Sequence, residues 1–522
     1  MILLLNLFIL SFLRQINGYS RFYKPLNSQN NQLSIEKNTD FDGILTIDKL
    51  VEWGYNSSST NIFINSKSIK SIEANTFSGY QNLKYLDLSF NEIEDVNEDY
   101  FKGLINLDGL DFRYNKIKTI EDNSFSELGK LSYLDLAHNQ LENIGANTFK
   151  GLNGLFELYA DHNVLKSIED NSFSFMIDLN YFYLSSNLIQ VITSETFKGL
   201  KSIFELHLYD NKIKTIEDNA FNEMINVNYI DLGENEIETI SKNAFNGVKS
   251  LSGLYLWYNY IKLVEDDAFS EAVNLQFLEL RYNMIEKIGS RTFSGLSKLT
   301  SLFLSYNSIS IIDDNAFKEL KELENLYLEN NEIGQIKTLT FSGLIKLKQL
   351  NIDHNSIAII EDYAFSYMIS LLYLDLQNNL IDEIFYETFI GLNQLHELNL
   401  DHNNIDSLEP IIFLNLKNLK RFSISSNYLT IIHSGLFKSL ADIKYIDLSS
   451  NQITFVDRNE FRDMKSLVRL NFKNNQLIFL DSNIIQGCSN LIFFCLSSNL
   501  FPVNFAINLT GLSVSANSLM NC

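Results

Sequence analysis

An asparagine recurs at a fixed interval of 24 residues through most of this 522-residue chain. The series begins at Asn91 and continues through Asn115 and Asn139 to Asn499, with 18 consecutive members. A period of this length is typical of a solenoid, in which one short unit is stacked many times and each copy contacts mainly its neighbours. The period predicts one elongated repeat domain whose function lies on a surface.

Each period also carries a fixed pattern of apolar residues. In the copy that starts at Leu83, the apolar positions around Leu86 and Leu88 alternate with polar ones, as in a strand with one buried face. Phe occupies a single register 17 times, from Phe77 to Phe461. We therefore expect one short strand per copy in a parallel sheet, and a stacked spine of rings on the opposite side. The recurring Asn is expected to bond backbone groups of its own copy and of the next one.

The combined motif, LxxLxLxxN followed by IxxIxxxxFxxL, closely resembles the typical 24-residue leucine-rich repeat of extracellular animal proteins. The resemblance covers residues 60–519, as about 19 to 20 repeats. It implies an α/β-type solenoid, mostly β with an irregular or 3₁₀ convex side. In such a horseshoe the concave parallel sheet is the usual binding face. Proteins of this kind include Toll-type receptor ectodomains, chaoptin-like adhesion proteins and other secreted or cell-surface ectodomains.

The segments outside the repeats predict an extracellular location. Residues 1–20 contain an apolar run too short to span a bilayer, followed by Arg14 and small residues, which indicates a signal peptide. A buried cap strand is the alternative. Residues 21–59 are expected to form a lead-in and a degenerate cap. Residues 520–522 resemble the start of a C-terminal cap that is missing or absent. Sequons predict glycosylation at Asn56 and Asn508.

Charge and motifs narrow the class of partner. The formal net charge of −23 argues against nucleic acid and anionic membranes, and it favours a basic protein or peptide ligand. No later apolar run in the sequence reaches membrane length. The sequence shows no nucleophile motif, phosphate-binding loop or cysteine cluster with metal spacing, so we expect no enzyme activity, no cofactor and no metal site.

A second, longer period of 48 residues accompanies the first. Glycine recurs at this interval from Gly103 to Gly391, and acidic pairs such as Glu169-Asp170 and Glu217-Asp218 follow the same interval. The structural unit is therefore expected to be a pair of coils. The acidic pairs have two explanations, a docking stripe for a basic partner or the trace of tandem duplication on a solvated edge. We favour the second.

Outward strand positions of the central repeats carry an unusual density of aromatic and charged residues. Large aromatic side chains that point away from a filled core are enriched at interface hot spots. Tyr is also a good strand former, which explains single occurrences but not a cluster. We predict that the partner-binding site on the concave face consists of Tyr159, Tyr183, His207, Tyr209, Tyr255, Trp257, Tyr258, Glu279, Arg281, Tyr282, Phe303, Tyr306 and Tyr327.

Two smaller clusters lie in the early repeats. Asp87, Asp111 and Asp135 occupy one outward register in neighbouring strands, and we expect a solvated acidic patch rather than a calcium site. His138 and His162 occur on adjacent coils near Asp161, which suggests zinc binding or a pH switch. Two histidines and one carboxylate are few ligands, so we expect solvated histidines there.

The leading hypothesis is a secreted or cell-surface recognition protein that binds a protein or peptide ligand on the concave face, similar to a receptor ectodomain. The alternative is a structural protein that acts in homophilic cell adhesion or in a matrix by self-association. The sequence alone does not choose between these two.

Overall fold

The computed structural model describes residues 41–502. The predicted signal peptide, the first half of the lead-in, Asn508 and residues 520–522 lie outside the described residues. The repeats belong to one compact unit that begins at Gly43. Its first helix, Ile47–Glu52, is capped by Thr46, whose hydroxyl accepts a bond from the Lys49 amide at 3.2 Å.

The main element is a long parallel sheet that gains one three-residue strand from each coil. Each strand pairs in register with the strand 24 residues further on, so that Leu254 faces Leu278. Among the described residues, the first and last strands have one neighbour each, and every other strand has two. The strands are Asn61–Phe63, Tyr85–Asp87, Gly109–Asp111, Tyr133–Asp135, Glu157–Tyr159, Tyr181–Tyr183, Glu205–His207, Tyr229–Asp231, Gly253–Tyr255, Phe277–Glu279, Ser301–Phe303, Asn325–Tyr327, Gln349–Asn351, Tyr373–Asp375, Glu397–Asn399, Arg421–Ser423, Tyr445–Asp447, Arg469–Asn471 and Phe493–Cys495.

The asparagine series joins successive coils, but each side chain bonds the preceding coil, whereas the sequence analysis expects the next one. Asn259 is buried, and its Oδ1 accepts a bond from the Ile237 amide of the preceding coil at 3.0 Å. Its Nδ2 donates to the Leu232 carbonyl of that coil at 2.9 Å and to the Leu256 carbonyl of its own at 3.2 Å. Leaving such buried groups unpaired costs about 1–3 kcal/mol each, which explains why Asn recurs at this position.

The predicted spine of rings is also confirmed. The side chains of Phe77, Phe101 and the later members of the series to Phe461 are buried beside the strand leucines. Successive rings stack, with centroids 6.3 Å apart for Phe125 and Phe149 and 5.6 Å apart for Phe221 and Phe245. The core thus has the same cross-section in every coil.

Short two-residue strands on the flank reveal the pair of coils as the structural unit. They bond two by two, and no described strand bridges one pair to the next. A 3₁₀ helix, Tyr386–Phe389, lies in a coil without such a strand. The pairs are Ile44–Leu45 with Ser71–Ile72, Asp95–Val96 with Thr119–Ile120, Asn143–Ile144 with Ser167–Ile168, Val191–Ile192 with Thr215–Ile216, Thr239–Ile240 with Leu263–Val264, Lys287–Ile288 with Ile311–Ile312, Gln335–Ile336 with Ile359–Ile360, and Ile431–Ile432 with Phe455–Val456.

The glycines of the 48-residue period lie at the junctions between these pairs. Gly199 has φ of +91°, and a Cβ there would lie 2.8 Å from Ser174 Cα in the preceding pair. A side chain is therefore excluded both by the left-handed backbone and by the neighbouring coil. The sequence predicts the 48-residue period correctly, and the close contact between each glycine and the preceding pair of coils explains it.

The acidic pairs hold coils together. Glu217 accepts a bond from the Ser194 amide of the first coil in its own pair, at 3.1 Å. Asp218 accepts bonds from Ser241 and Asn243 of the next pair, at 2.8 and 3.0 Å. The two carboxylates of one Glu-Asp pair thus bond in opposite directions along the solenoid, which gives the acidic residues a structural role.

Candidate ligand-binding face

Aromatic rings form a continuous row across the outward face of the long sheet. Neighbouring ring centroids in this row lie 4.5 to 5.6 Å apart. Such distances are typical of stacked and tilted aromatic pairs. We call the row the aromatic ridge, and it consists of Tyr133, Tyr159, Tyr183, His207, Tyr229, Tyr255, Phe277, Phe303 and Tyr327.

The ridge follows from the register of the sheet. Adjacent strands lie about 4.8 Å apart, so rings in the same register stack directly, as Tyr159 does on Tyr183 at 4.5 Å. Where Asp231 interrupts that register, the row continues through Tyr229, two residues earlier on the same strand. All nine rings are partly exposed. They therefore present a long apolar strip to solvent on a rigid backbone.

A second stack lies at the end of the strands, beside the asparagine series. Tyr258, Tyr282 and Tyr306 have φ of 50°, 57° and 56°, a left-handed conformation that is uncommon for aromatic residues. Their centroids lie 4.2 and 4.5 Å apart. Tyr258 is 48% exposed and Tyr306 is 45% exposed. We call these three residues the edge stack. The sequence pattern predicts outward strand positions for them, whereas they occupy the turn that follows each strand.

Trp257 lies between the ridge and the edge stack. Its indole ring covers Gly233 of the preceding coil so closely that a Cβ there would collide with it. The indole also forms a hydrogen bond to Asp231, and burial is the main cause that raises the pKa of this carboxyl. Trp257 is half-buried, and part of its role is to cover the partly exposed side chain of Asp231.

The early acidic residues are not the solvated patch that the sequence analysis predicts. The Asp111 side chain is 0% exposed, with Oδ2 3.0 Å from Arg113 Nε. Burial, followed by the charge of Asp135, raises its pKa to about 7. Asp135 is also buried, and it accepts bonds from the Ala137 amide and the Tyr133 hydroxyl at 2.9 and 3.0 Å. Neighbouring side chains cover these carboxylates, because adjacent strands are too close for each to keep its own water.

Glu279 and Arg281 form an internal pair. Glu279 is buried and accepts two bonds from the Arg281 guanidinium at 2.8 and 2.6 Å. Burial raises the pKa of Glu279, while the bonds and charge of Arg281 act against the rise. The guanidinium lies 5.0 Å above the Phe303 ring centroid. Glu279 therefore positions Arg281 against the ridge and is not itself available to a partner.

A third stack starts the solenoid. Phe90, Tyr114, His138 and His162 occupy the same turn position as the edge stack, with centroids 4.5, 4.2 and 4.2 Å apart. We call them the N-terminal stack. Burial and then the charge of His162 lower the pKa of His138.

The far end of the sheet differs in composition. Arg421 lies 4.4 Å above the Tyr445 ring centroid, and Arg469 lies 4.4 Å above that of Phe493. Together with Asp447 these side chains line a shallow cavity. This basic and aromatic patch is absent from the predicted site, although Arg421, Tyr445, Arg469 and Phe493 occupy the same outward strand register as Tyr229 and Phe277.

The structure divides the predicted site residues among several positions. Tyr159, Tyr183, His207, Tyr255, Phe303 and Tyr327 join the ridge, and the edge stack contains Tyr258, Tyr282 and Tyr306. Tyr209 is partly exposed and occupies the same position in its coil as Trp257. Sequence reasoning missed Tyr133, Tyr229 and Phe277. They occupy the outward position two residues earlier on each strand, so counting both outward positions would have found them.

Among the described residues, no helix has the length and apolar character needed to cross a membrane. The parallel sheet, the asparagine series and the open aromatic face together define a repeat solenoid. The chain belongs to the leucine-rich repeat family. Overlapping matches to the family's "Leucine rich repeat" model span residues 60–165 and 273–501. Residues 166–300 match the "BspA type Leucine rich repeat region".

Solved structures show the same fold. The Drosophila Toll–Spatzle complex matches with 18% identity and a TM-score of 0.60, over 87% of this chain and 80% of that one. A leucine-rich repeat protein of Leptospira interrogans matches with 24% identity and a TM-score of 0.55, over 76% and 97%. The plant peptide hormone receptor RGFR1, solved with RGF2, matches with 21% identity and a TM-score of 0.54, over 85% and 79%. A search of curated proteins found no match.

Proposed function

We propose that this chain is a secreted or cell-surface recognition protein that binds a protein or peptide ligand on the outward face of its long sheet. The observation that carries the proposal is the continuous aromatic ridge with the edge stack beside it. These rings are held by their neighbours and by the sheet, so little conformational entropy is lost when a partner covers them. Rigid, partly exposed aromatic residues are the side chains most enriched at interface hot spots.

The charge around the ridge favours a ligand with basic side chains. Glu157 lies in a ridge strand, and Asp210 and Glu234 line a shallow cavity with Tyr258 of the edge stack; none of the three carboxylates is buried. An incoming Lys or Arg would lie over aromatic faces and approach these carboxylates, which combines cation–π and ionic attraction. The net charge of −23 adds long-range attraction for a basic ligand and repulsion for nucleic acid.

Two further observations support an extracellular location. The predicted signal peptide at residues 1–20 directs secretion. Asn56 of the Asn-Ser-Ser sequon is exposed, so a glycosylating enzyme has access to it. Relatives of known structure include Toll and a plant peptide hormone receptor, and a receptor-type binding role without catalysis fits the open face.

A peptide-display selection tests the proposed binding face. The full chain, collected from the medium of animal cells, is immobilised and panned with a random-peptide phage library. Wild type is expected to enrich peptides rich in Arg, Lys and aromatic residues. The double variant Tyr258→Asn with Tyr306→Asn is expected to lose at least tenfold in affinity for them, on the order of a hot-spot loss. Asn is chosen because Asn330 and Asn378 occupy the same turn position with φ of 57° and 52°.

The matched control is Phe90→Asn with Tyr114→Asn. These residues are 51% and 43% exposed and occupy the same turn position in the N-terminal stack, away from the ridge. The control variant is expected to bind the selected peptides as wild type does. Failure to enrich any peptide, or binding that survives in the Tyr258 and Tyr306 variant, would contradict the proposal. Melting temperatures of both variants verify that the solenoid is intact.

A further inference from the structure

We propose that His138, Asp161 and His162 form a binding site for a zinc-class divalent metal ion at the edge of the early coils. One ligand atom from each residue lies within 4.8 Å of the others. Imidazole nitrogen and carboxylate oxygen are common zinc ligands. The proposal revises the expectation of solvated histidines, and it is independent of the binding function assigned to the aromatic ridge.

The backbone holds the two histidines at the same turn position on adjacent coils. His138 and His162 have φ of 55° and 53°, in the turn before the asparagine series. The His138 amide donates to the Asp161 carbonyl at 3.0 Å, and the His162 amide donates to the Ser185 carbonyl at 3.0 Å. The register of the solenoid therefore fixes both Cα positions, and only side-chain rotation separates the observed arrangement from a metal-bound one.

The two imidazole rings stack nearly parallel at 4.2 Å, so they must tilt toward each other to share an ion. His162 Nε2 already lies 3.9 Å from Asp161 Oδ2. Ligand atoms around a tetrahedral zinc ion, with bonds of about 2.0–2.2 Å, lie about 3.4 Å apart. Because the His162 side chain is exposed, its ring can turn without disturbing the core. Three protein ligands leave at least one coordination position for water or for a side chain of a bound partner.

Two other coils of this chain provide a comparison for the proposed metal site. The tripeptide Asp-His-Asn also occurs with His354 and with His402. In the coils that precede His354 and His402, the same turn position holds Asn330 and Asn378, and neither is a histidine. His354 Nδ1 lies 2.7 Å from Asp353 Oδ2, so one carboxylate and one imidazole come together there as well. Among the described residues, the His-Asp-His combination occurs at His138, Asp161 and His162 alone.

Calorimetric titration of the chelator-treated full chain with ZnCl₂ tests the proposal. We expect wild type to bind about one zinc ion per chain, and Co²⁺ to give the visible absorption bands of a four-coordinate site. His138→Asn and His162→Asn are expected to weaken zinc binding by about 100-fold or more, because each removes a direct ligand. Asn preserves the backbone, since Asn330 and Asn474 occupy this turn natively.

The control variants are His354→Asn and Asp353→Asn, which are expected to bind zinc as wild type does. The proposal fails if wild type binds no zinc, or if the control variants lose as much affinity as His162→Asn. Equal melting temperatures of all variants in the presence of chelator establish that any lost affinity reflects a lost ligand and not a lost fold.

Discussion

The Asp111 carboxyl carries a cost of burial that depends on pH. Its pKa is raised to about 7 in the folded chain, from 3.8. Below about pH 4 the carboxyl is protonated in both the folded and the unfolded chain. The stability that depends on its protonation is then at its maximum. As the pH rises toward 7, the unfolded chain releases the proton and the folded chain keeps it. Stability therefore falls across this interval, by at most about 1.4 kcal/mol per pH unit.

Asp111→Asn is expected to remove this pH dependence, because an amide carries no charge at any of these pH values. The melting temperature of the variant relative to wild type should rise between pH 4.5 and pH 7.5. Thermal denaturation of both proteins at both pH values measures this difference in melting temperature. Asp178→Asn, at an exposed position in another coil, serves as the control and should follow wild type. An Asp111→Asn difference that stays constant with pH would contradict the raised pKa.

The sequence predicts the direction of almost every side chain but not its solvent exposure. A two-residue alternation shows that Asp111 and Glu279 point out of the core. It does not show that Arg113, Arg281 and the rings of adjacent coils close over them. That cover comes from an arginine two positions further along the chain and from rings 22 to 26 positions away, and it depends on side-chain length and rotamer. The acidic patch was predicted wrongly for this reason, whereas the inward leucines and phenylalanines were predicted correctly.

At the scale of the element, the unit of this solenoid is the pair of coils. The sequence predicts the 48-residue period from Gly103 to Gly391. Its physical origin needs the structure, because the glycine lies against the backbone of the preceding pair. The acidic pairs illustrate the same limit. Their positions are visible in the sequence, but the bonds from Glu217 and Asp218 to flanking coils follow from turn geometry that no local pattern specifies.

Three glycine-to-alanine variants separate backbone strain from steric overlap. Gly199→Ala combines φ of +91° with overlap against Ser174, and we expect it to destabilise by about 2–5 kcal/mol. Gly435→Ala has φ of +87° and no atom within 4 Å of the added Cβ, so only the backbone cost of about 1–2 kcal/mol applies. Gly79→Ala has neither feature and should be neutral. Urea denaturation of the three variants measures the order. Equal losses for Gly199→Ala and Gly435→Ala would show that the contact between pairs tolerates a methyl group.

At the scale of the whole repeat unit, contacts are almost entirely between neighbouring coils. Each described strand of the long sheet pairs only with strands 24 residues away, so no strand pairing within it joins distant coils. Stability in such a chain is approximately a sum of local terms and nearest-neighbour interfaces. Local unfolding is then cheaper than global unfolding, and its position depends on where an interface is weakened.

Asn259→Ala places such a weak interface in the middle of the chain. The variant leaves the Ile237 amide and the Leu232 carbonyl without their side-chain partner, at a cost of about 1–3 kcal/mol for each buried group. Hydrogen exchange followed by mass spectrometry should show faster exchange in the coils around Asn259. Coils near Asn91 and Asn451 should exchange as in wild type.

Asn226→Ala is the control for this experiment, because its Nδ2 also donates to a carbonyl of the preceding coil, at 2.9 Å, but on the exposed flank. Water replaces that bond, so exchange should hardly change. If Asn259→Ala instead accelerates exchange evenly along the chain, the solenoid unfolds as one cooperative unit and the one-dimensional account is wrong. If exchange accelerates only near Asn259, the aromatic ridge can lose order in one coil while the rings of the remaining coils stay in place. Ligand affinity should then fall in proportion to the rings that the opened coils contribute.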